Sequence, residues 1–132
     1  MQNLNLRMAL LDGRYGICRV EGAVGTGADI PDWVDGPFWS ATCTQEELSV
    51  VCLQELIPDH VLHEGDWRVL KVLGPLSFSL TGILAAISGV LAEAGVSIFS
   101  VSTYNTDYIL VKHDRLEDAI EALAGRGVEF TR

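Results

Sequence analysis

Two stretches of this chain read as one. Ser40–Leu56, SATCTQEELSVVCLQEL, lies without a gap on Ser100–Leu116, SVSTYNTDYILVKHDRL, sixty residues later. Ser40 then meets Ser100, Gln45 meets Asn105, Glu47 meets Asp107, Val51 meets Val111 and Leu56 meets Leu116, so turn residues fall on turn residues and apolar strand residues on apolar ones. A second match, YGICRVEG at Tyr15–Gly22 on WRVLKVLG at Trp67–Gly74, keeps the chain order at an offset of 52. The difference between the offsets means that the first copy has lost about eight residues between its matched segments. A chain built this way folds as two related units, and its chemistry is sought in how the copies differ.

Each copy takes about half of the 132 residues. Units that small hide a low fraction of their surface, so they are expected to pack on each other or on another chain, as an oligomer. Hydrophobic residues make up 48% and charged residues 20%, with a mean hydropathy of +0.27, a composition that fits a packed interior and excludes a disordered chain. No apolar run approaches the ~20 residues of a membrane-spanning helix. The N-terminal MQNLNLRMALLDG alternates Leu4, Leu6, Met8 and Leu10 with polar or small residues, so it reads as a strand and not as a secretory leader. Cys18, Cys43 and Cys52 form no CxxC pair and are odd in number, which favours free thiols in a reducing cytosol. The net charge of −9 argues against nucleic acid or an anionic membrane as partner.

The second copy gives the clearer pattern. Trp67–Leu73 is rich in strand formers and ends at Gly74-Pro75. From Gly82 to Ala94, Ile83, Leu84, Ile87, Val90, Leu91 and Ala94 recur at helical spacing, and Gly95 stops the helix. Ser79 or Thr81 is expected to cap its start. Val96–Ser102 and Tyr108–Val111 read as a hairpin turning at Tyr104–Asp107. Asp114 with Glu117 resembles a capping box before the stripe Leu116, Ala119, Ile120 and Leu123; Gly125 and Gly127 break that helix, and Val128–Thr131 closes as a strand. The order βαββαβ is the ferredoxin-like plan, an α+β fold.

The first copy keeps the strands and loses the helices. Tyr15–Val20, Phe38–Thr42 and Leu48–Leu53 are its strands, whereas EGAVGTGADIPDWVDGP is too rich in Gly and Pro for a full helix and QELIPDHVLHEG is too short for a second. Leu4–Leu11 is expected to supply its fourth strand. The boundary falls in His63–Asp66, giving a degenerate unit over 1–64 and a complete one over 65–132.

Few residue constellations carry chemistry. His60, His63 and His113 lack partners at metal spacing, so no metal site is expected. Ser77 and Ser79 sit in no nucleophile elbow. Gly22, Gly25 and Gly27 fit neither a dinucleotide fingerprint nor a phosphate loop. Two features remain. The loop PLSFSLTG ends on a helix N-terminus, whose free N–H groups and positive dipole end favour a carboxylate. Asp107, between Tyr104 and Tyr108, offers an anion beside aromatic rings for a cationic group. Together they suit a zwitterion.

The stretch LKVLGPLSFSLTGILAAISGVLAEAGVSIFSVSTYNTDYILV resembles the ACT-domain signature, in particular the paired-ACT group related to cytosolic arginine sensors and to the regulatory tails of aspartate kinases. The resemblance implies a non-catalytic cytoplasmic protein without a cofactor, binding an amino acid between ACT domains of a homodimer. It also implies ligand contacts from Ser77, Phe78, Leu80, Thr81 and Gly82 before the first helix. Ser97 and Ile98 would hold the ligand's main-chain end through their backbone, and Thr103, Tyr104 and Asp107 on the hairpin would complete the pocket, with Asp107 on a cationic group. Arginine-binding relatives carry an acidic residue where this loop has Leu80, which suits a neutral amino acid whose own ammonium pairs with Asp107. A separate protein partner would read the signal. The alternative is a ligand-free module that assembles an enzyme of amino-acid metabolism.

Overall fold

The computed structural model describes residues 3–21, 29–73 and 82–131. Along these the chain forms β1 (Arg7–Leu10), β2 (Tyr15–Val20), β3 (Ser40–Cys43), β4 (Leu48–Leu53), β5 (Leu62–Val72), α1 (Ile83–Glu93), β6 (Ile98–Ser102), β7 (Asp107–Lys112), α2 (Leu116–Ala124) and β8 (Glu129–Thr131). Single 3-10 turns lie at Gln54–Leu56 and His113–Arg115. The contacts divide it into an inserted unit, Gly13–Trp67, and a split unit made of the chain up to Asp12 together with the chain from Arg68 onward. Both are α+β or reduced α+β versions of the ferredoxin-like plan.

In the inserted unit the strands run β3-β4-β2-β5, with β2 antiparallel to both β4 and β5. In chain order that is second, third, first, fourth, the ferredoxin-like arrangement. Among the described residues of this unit the single helical element is the 3-10 turn at Gln54–Leu56. Cys18, Val34, Leu48, Val50, Cys52 and Ile57 form one core cluster, packed against Val20, Trp33, Ala41 and Val61. Thus segments around Trp33–Val34 and Ile57–Val61 take the places where helices would cover the sheet.

The split unit repeats the pattern with its helices present. Its strands run β6-β7-β5-β1-β8. Here β1 is antiparallel to β5, with Met8 opposite Val72 and Leu10 opposite Leu70, and β8 lies parallel to β1 on the far side. This corrects the expected role of Leu4–Leu11. The N-terminal strand takes the fourth-strand position of the second copy, β8 is displaced to the edge, and the start of β5 completes the first copy. The cause is the apolar alternation itself: Met8 is fully buried and Leu4, Leu6 and Leu10 pack on the cluster formed by α1, α2, β5 and β7. The domain limits move with it, since the boundary falls between Trp67 and Arg68 and the first residues join the later unit.

Both helices end in a Schellman reversal. Val96 N–H donates to Leu91 O (2.9 Å) and Gly95 N–H to Ala92 O (3.0 Å), while Val128 N–H donates to Leu123 O (3.1 Å) and Gly127 N–H to Ala124 O (3.0 Å). The starts differ from expectation. Gly82 (φ 81°) is the N-cap of α1, and Arg115 that of α2, neither with a side-chain cap bond, so Asp114 does not form a capping box.

The repeat is real but its gap-free register is off by one. Thr44 N–H donates to Glu47 O (2.8 Å) and Thr44 Oγ1 accepts from Glu47 N–H (3.1 Å). Thr103 and Thr106 make the same two bonds at 2.8 and 3.3 Å. The closing pairs Cys43–Leu48 and Ser102–Asp107, and the 3-10 turns starting at Gln54 and His113, agree on an offset of 59. Asp107 therefore corresponds to Leu48, not to Glu47.

Candidate functional site

Asp107 opens β7 and faces Ser102 across the hairpin. Ser102 Oγ donates to Asp107 Oδ1 at 2.6 Å, which fixes the carboxylate and leaves its second oxygen as an acceptor. The side chain is half-buried. Ser102 and Asp107 share a face of the hairpin with the pairs Ser100–Ile109 and Ile98–Val111, and Ile98, Ile109 and Val111 belong to the core covered by α1 and α2. The aspartate thus sits at the turn end of the helix-covered face. The two tyrosines that flank it in the sequence are placed differently from each other. Tyr104 is 81% exposed on the turn. Tyr108, one residue beyond Asp107, points to the opposite face, where Lys71 Nζ lies 5.9 Å from its ring centre.

The turn itself is held rigidly. Thr106 is buried and its hydroxyl donates to Val72 O at 2.5 Å, tying the hairpin to the end of β5. Thr103 Oγ1 lies 3.2 Å from Thr106 O. Val72 is also where the chain leaves β5 toward α1. Because α1 enters β6 through only a few residues, its C-terminal end lies by the start of β6, and Gly82 by connectivity lies at the end that carries the 103–106 turn. Gly82, Thr103, Tyr104 and Asp107 are thereby brought to one end of the split unit. Ser77, Phe78, Leu80 and Thr81 lie outside the described residues.

Ser97 and Ile98 lie at the other end of β6, about 13 Å away for a five-residue strand. Within one chain they do not meet Asp107. Ser97 is exposed and Ile98 packs on the core. Sequence reasoning missed what braces that end: Arg115 donates through Nη1 to Gly95 O (2.9 Å) and through Nη2 to Ala94 O (3.2 Å), with Nε on Asp118 (3.0 Å). A guanidinium on the two carbonyls that follow α1 complements the negative end of that helix. Ser102 was missed as well, since a serine in a strand carries no local signal; only its place opposite Asp107 reveals it.

The ferredoxin-like strand order occurs in both units, and in the split unit two helices cover it and polar groups gather at a hairpin end, which defines an α+β ferredoxin-like class of protein. Comparison with known proteins agrees. The ACT-domain family model matches residues 62–125, and a second model, described as an N-terminal domain, matches residues 13–60. The cytosolic arginine sensor for mTORC1 subunit 1 of Rattus norvegicus is 33% identical over 104 residues, covering 73% of this chain and 31% of the rat protein. The chain therefore spans less than a third of the length of that curated relative. A crystallised protein of Agobacterium tumefaciens is 37% identical, with a TM-score of 0.86 over 96% of this chain and 92% of that one. The aspartate kinase of Clostridium acetobutylicum shares the fold at a TM-score of 0.69 and 13% identity, over 96% of this chain and 36% of the kinase. The chain belongs to the ACT-domain family.

Proposed function

We propose that the protein is a non-catalytic amino-acid sensor whose ligand sits between split units of two identical chains. One chain gives the backbone of Ser97 and Ile98. The other gives Gly82, Thr103, Tyr104 and Asp107, with the loop residues Ser77, Phe78, Leu80 and Thr81. The observation that carries this reading is the Ser102-anchored carboxylate of Asp107 at the end of the unit where α1 begins. The separation of Ser97 and Ile98 from that end supports a pocket that two chains complete, because a twofold pairing places one protomer's strand start against its partner's hairpin. The name of the rat relative supports both a cytosolic setting and an amino-acid ligand. Arginine is the first ligand to test, and Leu80 in the loop favours an amino acid bound through its own ammonium group. Signalling follows if the ligand prefers one dimer arrangement, by no more than its difference in affinity.

A thermal-shift and calorimetric panel of the twenty amino acids on the whole protein tests this. One amino acid raises the melting temperature as ligand linkage requires, Asp107→Ala removes that rise, and native mass spectrometry gives a dimer. A panel with no heat and no shift favours the ligand-free assembly module.

A further inference from the structure

The inserted unit holds a cleft of about 400 Å³ that none of the proposed ligand residues lines. That volume is in the range of small-molecule sites. Leu53 and Ile57 supply its apolar part, and Arg14, Glu55, Asp59 and His63 its charged or titratable rim. All six belong to Gly13–Trp67.

The sequence brings them together through three local devices. Gly13 (φ 89°) turns the chain into β2 in a conformation that side chains rarely adopt, and a Cβ there would lie 3.0 Å from Leu53 Cδ2, so glycine keeps the cleft open. Gln54 N–H donates to Arg14 O at 2.9 Å, locking the 3-10 turn with Glu55 beside the arginine. Arg14 Nη1 donates to Asp66 Oδ1 at 3.0 Å, and Asp66 (φ 63°) gives its own N–H to Gln54 Oε1 at 2.6 Å. The guanidinium is thus held by one edge, with further N–H groups left to fork a carboxylate. His63 Nδ1 donates to Val61 O at 2.9 Å, which orients the ring at the rim of the cleft.

Charge decides the ligand class. Asp66 balances Arg14, so Glu55 and Asp59 leave the cleft net acidic and hostile to a simple anion, while the fixed guanidinium still selects a carboxylate. We propose that this cleft is a second ligand site, for a small zwitterionic amino acid whose carboxylate meets Arg14 and whose ammonium meets Glu55 and Asp59, its aliphatic part lying on Leu53 and Ile57. The site is complete within one unit and does not rest on the dimer pocket.

An NMR titration of the whole chain with each of the twenty L-amino acids, and with acetate and methylamine as half-ligands, tests it. Amides of Gly13, Leu53 and Gln54 report the cleft, and those of Gly82, Tyr104 and Asp107 report the other site. At least one amino acid is expected to move the cleft amides in both the natural chain and Asp107→Ala. Arg14→Gln, and separately Glu55→Gln with Asp59→Asn, weaken that binding about tenfold while the thermal melt holds. The proposal is overturned if no amino acid at millimolar concentration moves the cleft amides, if both variants bind unchanged, or if acetate or methylamine alone binds as tightly. Silence at the Gly82, Tyr104 and Asp107 amides bears only on the dimer pocket.

Discussion

Gly95 (φ 74°) and Gly127 (φ 87°) end the two helices by the same reversal, and each is followed by a buried valine that packs back on the core. Their substitutions should nevertheless differ. A Cβ on Gly95 meets nothing, so Gly95→Ala carries only the left-handed backbone penalty, about 1 kcal/mol. A Cβ on Gly127 displaces the exposed side chain of Asn3, so Gly127→Ala adds to the backbone penalty the loss of the hydrogen bond that Asn5 N–H donates to Asn3 Oδ1; urea denaturation of the two variants measures the difference. The cysteines separate by environment in the same way. Burial, with a smaller push from the charge of Cys18, raises the Cys52 thiol from 9.0 to about 11, while Cys43 is exposed. Thiol reagents at neutral pH should label Cys43 first and reach Cys18 and Cys52 only on unfolding. Because the native value is raised, the contribution of Cys52 to stability is full below pH 9.0 and is lost as pH climbs toward about 11; Cys52→Val should flatten that loss in denaturation curves run across the window. At the site, Ser102→Ala should weaken ligand several-fold by freeing the carboxylate that Asp107→Ala removes outright, a comparison calorimetry can make.

Between elements, the two hairpins are the most informative pair. Thr44 and Thr103 hold the same position in matching four-residue turns, so Thr44→Val and Thr103→Val should each cost about 1 kcal/mol in equilibrium unfolding. The gap-free alignment slipped because Ser40–Ser100 and Val51–Val111 are chance identities, whereas register is set by the turn's hydrogen bonds, and one residue of slip exchanges the faces. This shows what kind of information lay in the sequence. α1 and α2 were legible from their 3.6-residue stripes, and Gly95 and Gly127 from their places just past them. The covering segments at Trp33–Val34 and Ile57–Val61 were not, since irregular chain has no period to find. Asp107 and its hairpin could be picked out as polar groups at a turn. The loss of Tyr108 to the other face could not be, until the strand was known to begin at Asp107 itself.

For the molecule as a whole, the decisive arrangement is β1 between β5 and β8, with one unit inserted into the other. Local composition could not announce this, because the pattern at Leu4–Leu10 says that a strand has one apolar face but not whose core receives it. Removing the chain up to Asp12 should therefore unfold the split unit, which loses an interior strand, and leave the amide protection of Gly13–Trp67 largely intact; hydrogen exchange distinguishes that from loss of the first copy. A fragment limited to 62–125, the span of the ACT match, lacks both β1 and β8 and should not fold alone.

That placement also imposes an order of events during synthesis. Arg7 pairs with Glu129, 122 residues later, so at ordinary ribosomal speeds β1 waits on the order of 10 s for its last neighbour. The inserted unit is made and can condense in the interval. Until β8 emerges, one edge of β1 therefore stays open even after β5 has paired the other, and an open edge of that kind is a surface on which a chaperone or another strand can bind.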